Sequence, residues 1–267
     1  MIEFVLRELK DRKWSLLAFC LGSLTLLWLY VATFRSSQAS SQQLQELVKN
    51  YPKGFLDAFG LSDLSPDTVE KYLNAKHFSF LWPLLAIILA LSRASGQIAG
   101  EVQSGTMGLL LALPKKRWQI LSAKYCAGLV TVTVFSAVSV FGVIPLAAAY
   151  SIPTHFTVLM GAWLLCTLFM GAVYSVAFAV SASVSSTGKV VSILGGVLVA
   201  SYAAHIAALI TNSLSALKYV SIFYYFDTAK VLATGHIQTS ALLVFGSLIV
   251  VGFALGLWRF GRRDVYV

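Results

Sequence analysis

Residues 99–119 read "AGEVQSGTMGLLLALPKKRWQ", and the character of the chain changes three times within them. A small, polar opening (Glu101, Gln103, Ser104, Thr106) gives way to an apolar run over 107–113. Pro114 then disfavours helix at the residue before it and so ends that element. Lys115, Lys116, Arg117 and Trp118 follow, a basic and aromatic combination suited to a membrane–water boundary. A plain basic loop does not require seven largely apolar residues just outside a bilayer. The stretch therefore predicts a short helix lying across a membrane surface and offering side chains to a partner. Its context decides the fold, because long apolar segments flank it on both sides.

Composition agrees with those flanks. The 267 residues are 58% hydrophobic and 12% charged, against about 25% charged in ordinary soluble domains. Several runs approach the ~20 apolar residues that carry a helix across a ~30 Å hydrocarbon layer. Backbone groups in lipid must be satisfied within their own segment, so the spans are expected as helices. The alternating ten-residue strands of an outer-membrane barrel are not seen. Six spans are expected, at 14–34, 78–99, 120–150, 157–183, 190–211 and 240–257, in an all-α integral membrane protein forming one transmembrane domain over 1–267. The first is too long for a typical signal peptide and poor in small residues at its end, so it is read as a retained anchor.

Charge sets the orientation. Of twenty Lys and Arg residues, thirteen fall on one side: Arg7, Lys10, Arg12 and Lys13 before the first span; Arg93, Lys115, Lys116, Arg117 and Lys124 around the segment joining the second and third; Lys189; and Arg259, Arg262 and Arg263. Of the other seven, five lie in the loop 35–77, where Glu46, Asp57, Asp63, Asp67 and Glu70 balance them. The positive-inside rule places both termini and the opening stretch in the cytoplasm. Juxtamembrane anchoring accounts for the net charge of +9 without nucleic acid.

Residues 1–13 place Ile2, Val5, Leu6 and Leu9 on one helical face, which predicts an amphipathic helix in the membrane interface or a soluble cap on the first span. The external loop 35–77 reads as a small ordered subdomain whose Ser65–Pro66–Asp67 resembles a helix start. The second external stretch, 212–238, holds Tyr219, Phe223, Tyr224, Tyr225 and Phe226. It reads either as a short re-entrant or interfacial segment or as an ordinary aromatic belt. Residues 258–267 form a cytoplasmic tail.

Catalytic patterns are missing. His77, His155, His205 and His236 are far apart in sequence, and Cys20, Cys126 and Cys166 fall singly within spans, where buried structural thiols are expected. The "SSTGKV" at 185–190 lacks the upstream Gly and the Ser or Thr after Lys that a phosphate loop needs. If nucleotide energy is used, another chain must bind the nucleotide. Small residues recur every fourth position in the fifth span (Ser192, Gly196, Ala200, Ala204, Ala208), a stripe that lets helices approach closely. Gly171, Ser175, Ala179 and Ser183 repeat the pattern in the fourth span, and Gly252 with Gly256 in the sixth. No acid or base is expected at mid-bilayer, which counts against an ion-driven carrier. Tyr202 and His205 are the main polar exceptions in the fifth span; they either line a substrate path or are satisfied by neighbouring helices.

With six spans and "GEVQSGTMGLLLALPKKRWQILSAKY" between the second and third, the sequence resembles the permease subunits of type-2 ABC transporters. The residues that carry the likeness are Glu101, Gly105, Thr106, Leu110, Leu111, Pro114, Arg117 and Lys124, and the C-terminal "WRFGRRDV" is similar to the family's ending. Val220–Ser221–Ile222 departs from it, since many relatives carry a Pro there. The resemblance implies a half-transporter that pairs with a second copy or a similar permease in a bacterial or archaeal inner membrane. It implies two cytoplasmic ATPase subunits that hold ATP and Mg, with no cofactor and no metal on this chain, and it leaves room for an extracytoplasmic accessory protein. By the same likeness, 100–119 is the coupling segment. Glu101, Gln103, Ser104, Gly105, Thr106, Met107, Leu110, Leu111 and Pro114 would dock on the ATPase, Glu101 pairing with a basic group there or capping the helix. A non-transport anchor of a membrane complex and a self-contained channel are the alternative readings.

Overall fold

The computed structural model describes residues 2–39, 68–112 and 114–263, and every regular element among them is helical. The Ser65–Pro66–Asp67 helix start and most of the loop 35–77 lie outside the described residues, as do Leu113 and the last four residues of the tail.

Helix α1 (Ile2–Asp11) breaks at Arg12 and is followed at once by α2 (Lys13–Ala39), the first span. The face of α1 that turns inward differs from the apolar stripe of the sequence. Phe4, Val5, Glu8 and Leu9 are half-buried, whereas Leu6 is 59% exposed. An ion pair made by Glu8, described below, sets this rotation.

The second span is broken. A helical turn, α3 (Val69–Leu73), runs into a π-helical turn, Asn74–Phe78, and then bends by 50° into α4 (Leu81–Gln97). Two short helices, α5 (Ala99–Gln103) and α6 (Met107–Leu111), cover the opening stretch. Next come α7 (Arg117–Phe141) and α8 (Val143–Ala149), which together make a 33-residue rod. At 1.5 Å per residue such a rod is about 50 Å long, well beyond the ~30 Å hydrocarbon core. The fourth span, α9 (Phe156–Ser183), is central and packs on α4, α7 and α12. The fifth is α10 (Thr187–Ile210). Two 3₁₀ turns (Asn212–Val220 and Ile222–Tyr225) and α11 (Thr228–Thr234) lead to the sixth, α12 (Thr239–Gly261). Among the described residues five helices are long and apolar enough to cross a membrane, or six with the bent pair counted as one span. The protein is an all-α, multi-pass membrane protein.

The core lies around α9. Trp82 stacks between Phe135 and Phe226 at centroid distances of 6.0 and 5.8 Å, and Phe226 meets Phe169 at 4.4 Å. Phe226 thus inserts the segment before the last span into the protein interior, and Thr228 holds it there by donating to Asn74 Oδ1 at 2.6 Å. Where the sequence departs from the family pattern, Ser221 does the turning. Its hydroxyl donates to the Ser201 carbonyl at 2.8 Å and accepts from the Phe223 amide, capping the second 3₁₀ turn.

The small-residue patterns divide in use. Gly252 sits on the backbone of Ser175, and Gly256 on Phe178 and Ala179, so the fourth and sixth spans use theirs within one chain. On the fifth span the first three positions of the stripe, Ser192, Gly196 and Ala200, are exposed, while Ala204 and Ala208 are half-buried. Only Val190 and Leu194 are buried on α10, and Gly188, Gly195 and Gly196 face open space.

Candidate coupling site

Two charges assigned to the basic rim are in fact buried inside spans. Lys124 is wholly buried one third of the way along α7, and Arg93 is 3% exposed near the end of α4. Sequence reading assigned them by position along the chain; neighbouring helices decide where they lie. Arg93 donates to Thr131 Oγ1 at 2.9 Å. The Lys124 ammonium is flanked by two carboxylates, Glu101 Oε1 at 2.6 Å and Glu8 Oε2 at 3.2 Å, with the Phe4 ring 5.9 Å away. One cation thereby ties α1, α5 and α7 together. Burial pushes the Glu101 carboxyl above its ordinary range, and the adjacent Lys124 partly offsets this.

Below this bridge the helices are joined by further polar contacts. Tyr174 of α9 donates to Gln97 Oε1 at 2.6 Å, and Gln97 Nε2 donates to the Lys124 carbonyl at 2.8 Å. Gly128 makes this possible, because a Cβ there would collide with the Tyr174 hydroxyl. The Ala99 amide donates to Ser181 Oγ at 3.0 Å, fixing the start of α5 on α9. At its other end Gln103 Oε1 accepts from the amide and hydroxyl of Thr187 at 3.0 and 3.2 Å, which caps the N-terminus of α10.

The coupling segment was expected as one helix and is two. Gly105 adopts φ +73°, a left-handed conformation that costs glycine little and terminates α5. Ser104 and Thr106 hydroxyls meet at 2.9 Å across this turn, and the Thr106 hydroxyl also donates to the Glu101 carbonyl. Helix α6 then starts at Met107.

Burial separates the residues named from sequence. Gln103, Ser104, Gly105, Thr106 and Pro114 are exposed; Glu101, Leu110 and Leu111 are half-buried; Met107 is buried. Leu109, which the sequence reading passed over, is 75% exposed. Glu101 has its basic partner within its own chain, in Lys124. Glu8, Gln97, Tyr174 and Thr187 complete the arrangement and were not foreseen. For Gln97 and Lys124 a signal existed, since each is a polar residue within the end of an apolar run.

Tyr202 and His205 lie three residues apart on α10, and their surroundings differ. Tyr202 lines an apolar groove of about 210 Å³ with Phe80, Pro83, Ile87 and Leu198, and packs edge-on to Phe223 at 5.1 Å. His205 does not line that groove. It is half-buried farther along α10.

No curated protein matches the chain significantly. The family described as "ABC-2 family transporter protein" matches residues 4–265, nearly the whole chain. With its bundle of membrane-spanning helices and that match, the chain belongs to the ABC-2 transporter family and is a permease component of an ABC transporter.

Proposed function

We propose that this chain forms half of the membrane part of an ATP-driven exporter and is moved by cytoplasmic ATPase subunits that dock on its coupling segment. ATP and Mg belong to those subunits, and this polypeptide transmits force without hydrolysing anything. Two ATPases serve two permease halves, the second being another copy or a similar chain. Both termini and the coupling segment face the cytoplasm of a bacterial or archaeal inner membrane.

One observation carries this reading: the exposed turn Gln103–Thr106, with Leu109 beside it, continues directly from α5, and α5 is bonded to its surroundings on several sides. Glu101 and Lys124 link it to α1 and α7, Ala99 and Ser181 to α9, and Gln103 and Thr187 to α10. A push on the turn is delivered to several spans at once. The apolar groove at Tyr202 is the natural wall of the path that such a motion would open, since α4 and α10 form its sides. It contains no charge, which favours an amphipathic or lipid-like cargo over a small ion. The open small-residue face of α10 suits the second permease half.

Copurification of the full chain with its ATPase tests the docking assignment. Thr106→Asp and Leu109→Glu should each abolish the complex while leaving the permease folded. A complex of unchanged stability would remove the coupling role from this turn.

A further inference from the structure

On α12, Val251, Leu255, Trp258 and Arg262 follow one another at spacings of four, three and four and share one exposed face. Val251 and Leu255 are about half exposed, as is Trp258, so this face is an open apolar stripe that ends in an indole. Two guanidinium groups bracket that indole. Arg262 lies 4.6 Å from the ring centroid and Arg259 5.9 Å away. Neither forms an ion pair with an acid among the described residues. The end of the helix is also held in place. Arg263 turns the other way and donates to the carbonyls of Ala182 and Val184 at 3.2 and 2.9 Å, while Arg117 donates to the Arg263 carbonyl at 2.9 Å. The arginines at 259 and 262 are therefore presented from a fixed base.

We propose that this end of α12 is a binding site for the headgroup of an anionic phospholipid, with its tails along Val251 and Leu255 and its phosphate between Arg259 and Arg262. An acidic headgroup is preferred to a zwitterionic one because two adjacent guanidiniums repel a choline or ethanolamine nitrogen. A tryptophan at the lipid boundary supplies both an apolar ring and an N–H donor. Neutralising the negative end of the helix dipole is a structural role open to the same arginines, and the test separates the two.

The full chain, purified in detergent, is titrated with phosphatidylglycerol and with phosphatidylcholine of identical tails, and bound lipid is counted by native mass spectrometry. Phosphatidylglycerol should be retained preferentially. In Arg259→Gln/Arg262→Gln that preference should fall about thirty-fold, from about fivefold per cation removed. Lys115→Gln/Lys116→Gln should keep it. If the double variant fails to fold, Trp258→Ala and Arg262→Gln singly serve in its place, each with a smaller loss. An unchanged preference in the arginine variants overturns the proposal. So does displacement of the lipid by millimolar inorganic phosphate, which would make this a free-phosphate site. A change in the monomer–dimer ratio with lipid binding unaltered would assign the face to a second copy and overturn it as well.

Discussion

Lys124 is a fully buried cation that joins three helices. Its ammonium is fully buried against two carboxylates that remain partly accessible, and removing it leaves Glu8 and Glu101 with only the more distant Arg12 to offset their repulsion. Breaking a buried pair by deleting one partner costs roughly 3–5 kcal/mol, less here because the acids retain some water. Lys124→Met should therefore lower the melting temperature in detergent by several degrees, and adding Glu101→Gln should restore part of the loss. Glu101 also makes stability depend on pH. Burial raises its folded-state value, so its stabilising contribution is complete below the ordinary 4.5 and is lost as pH rises through the raised value. The stability of the natural chain relative to Glu101→Gln, read from melting curves, should fall as pH is raised from 4.5 through the raised value. A parallel pair of curves would show that Glu101 is not desolvated. Gly128 is a second sensitive position. A methyl group there displaces the Tyr174 hydroxyl and with it the bond to Gln97. Gly128→Ala should cost about 1–3 kcal/mol as overpacking, and Gly128→Ala/Tyr174→Phe should recover some of it.

At the level of elements, the break between α5 and α6 shapes the proposed docking surface. A residue with a Cβ at position 105 is strained at φ +73°, so Gly105→Ala should destabilise the turn by roughly 1 kcal/mol and weaken ATPase copurification more than it lowers permease stability. The apolar run and the proline were legible as a helix and its end, and the long spans were legible from length and hydropathy alone. The split at Gly105 was not, because a glycine in a helical pattern is either tolerated or used as a left-handed terminator, and only the surrounding bonds decide. The bend in the second span was hidden for a similar reason. Asn74 and His77 are polar residues just outside the apolar run, and nothing local announces that α2 and α11 bury them. The small-residue stripes were readable as close-approach surfaces, but periodicity does not say which stripe finds its partner within the chain. Gly252 and Gly256 meet α9; Gly196 meets nothing.

For the whole molecule, that unused stripe makes the proposed second half testable. After replacement of Cys20, Cys126 and Cys166, a Gly196→Cys variant in membranes should form a disulfide-linked dimer on mild oxidation, whereas Gly246→Cys should not. Absence of the cross-link in intact membranes would place the partner elsewhere. The site was less readable than the fold because its members come from distant points of the chain. Glu8, Gln97, Glu101, Lys124, Tyr174 and Thr187 lie on six elements, and a linear pattern has no means of pairing them.

That separation also orders the events of biosynthesis. Glu8 and its counter-ion are 116 positions apart, a gap that a ribosome adding about 5–20 residues per second takes on the order of ten seconds to close. Until Lys124 arrives, the first helix has neither that counter-ion for Glu8 nor the third span to cover its leucines. Resting on the surface of the bilayer shelters the leucines while leaving Glu8 in water. The nascent chain thus begins as a peripheral peptide on a single anchor, and its first helix is locked to the bundle only when the third span delivers Lys124.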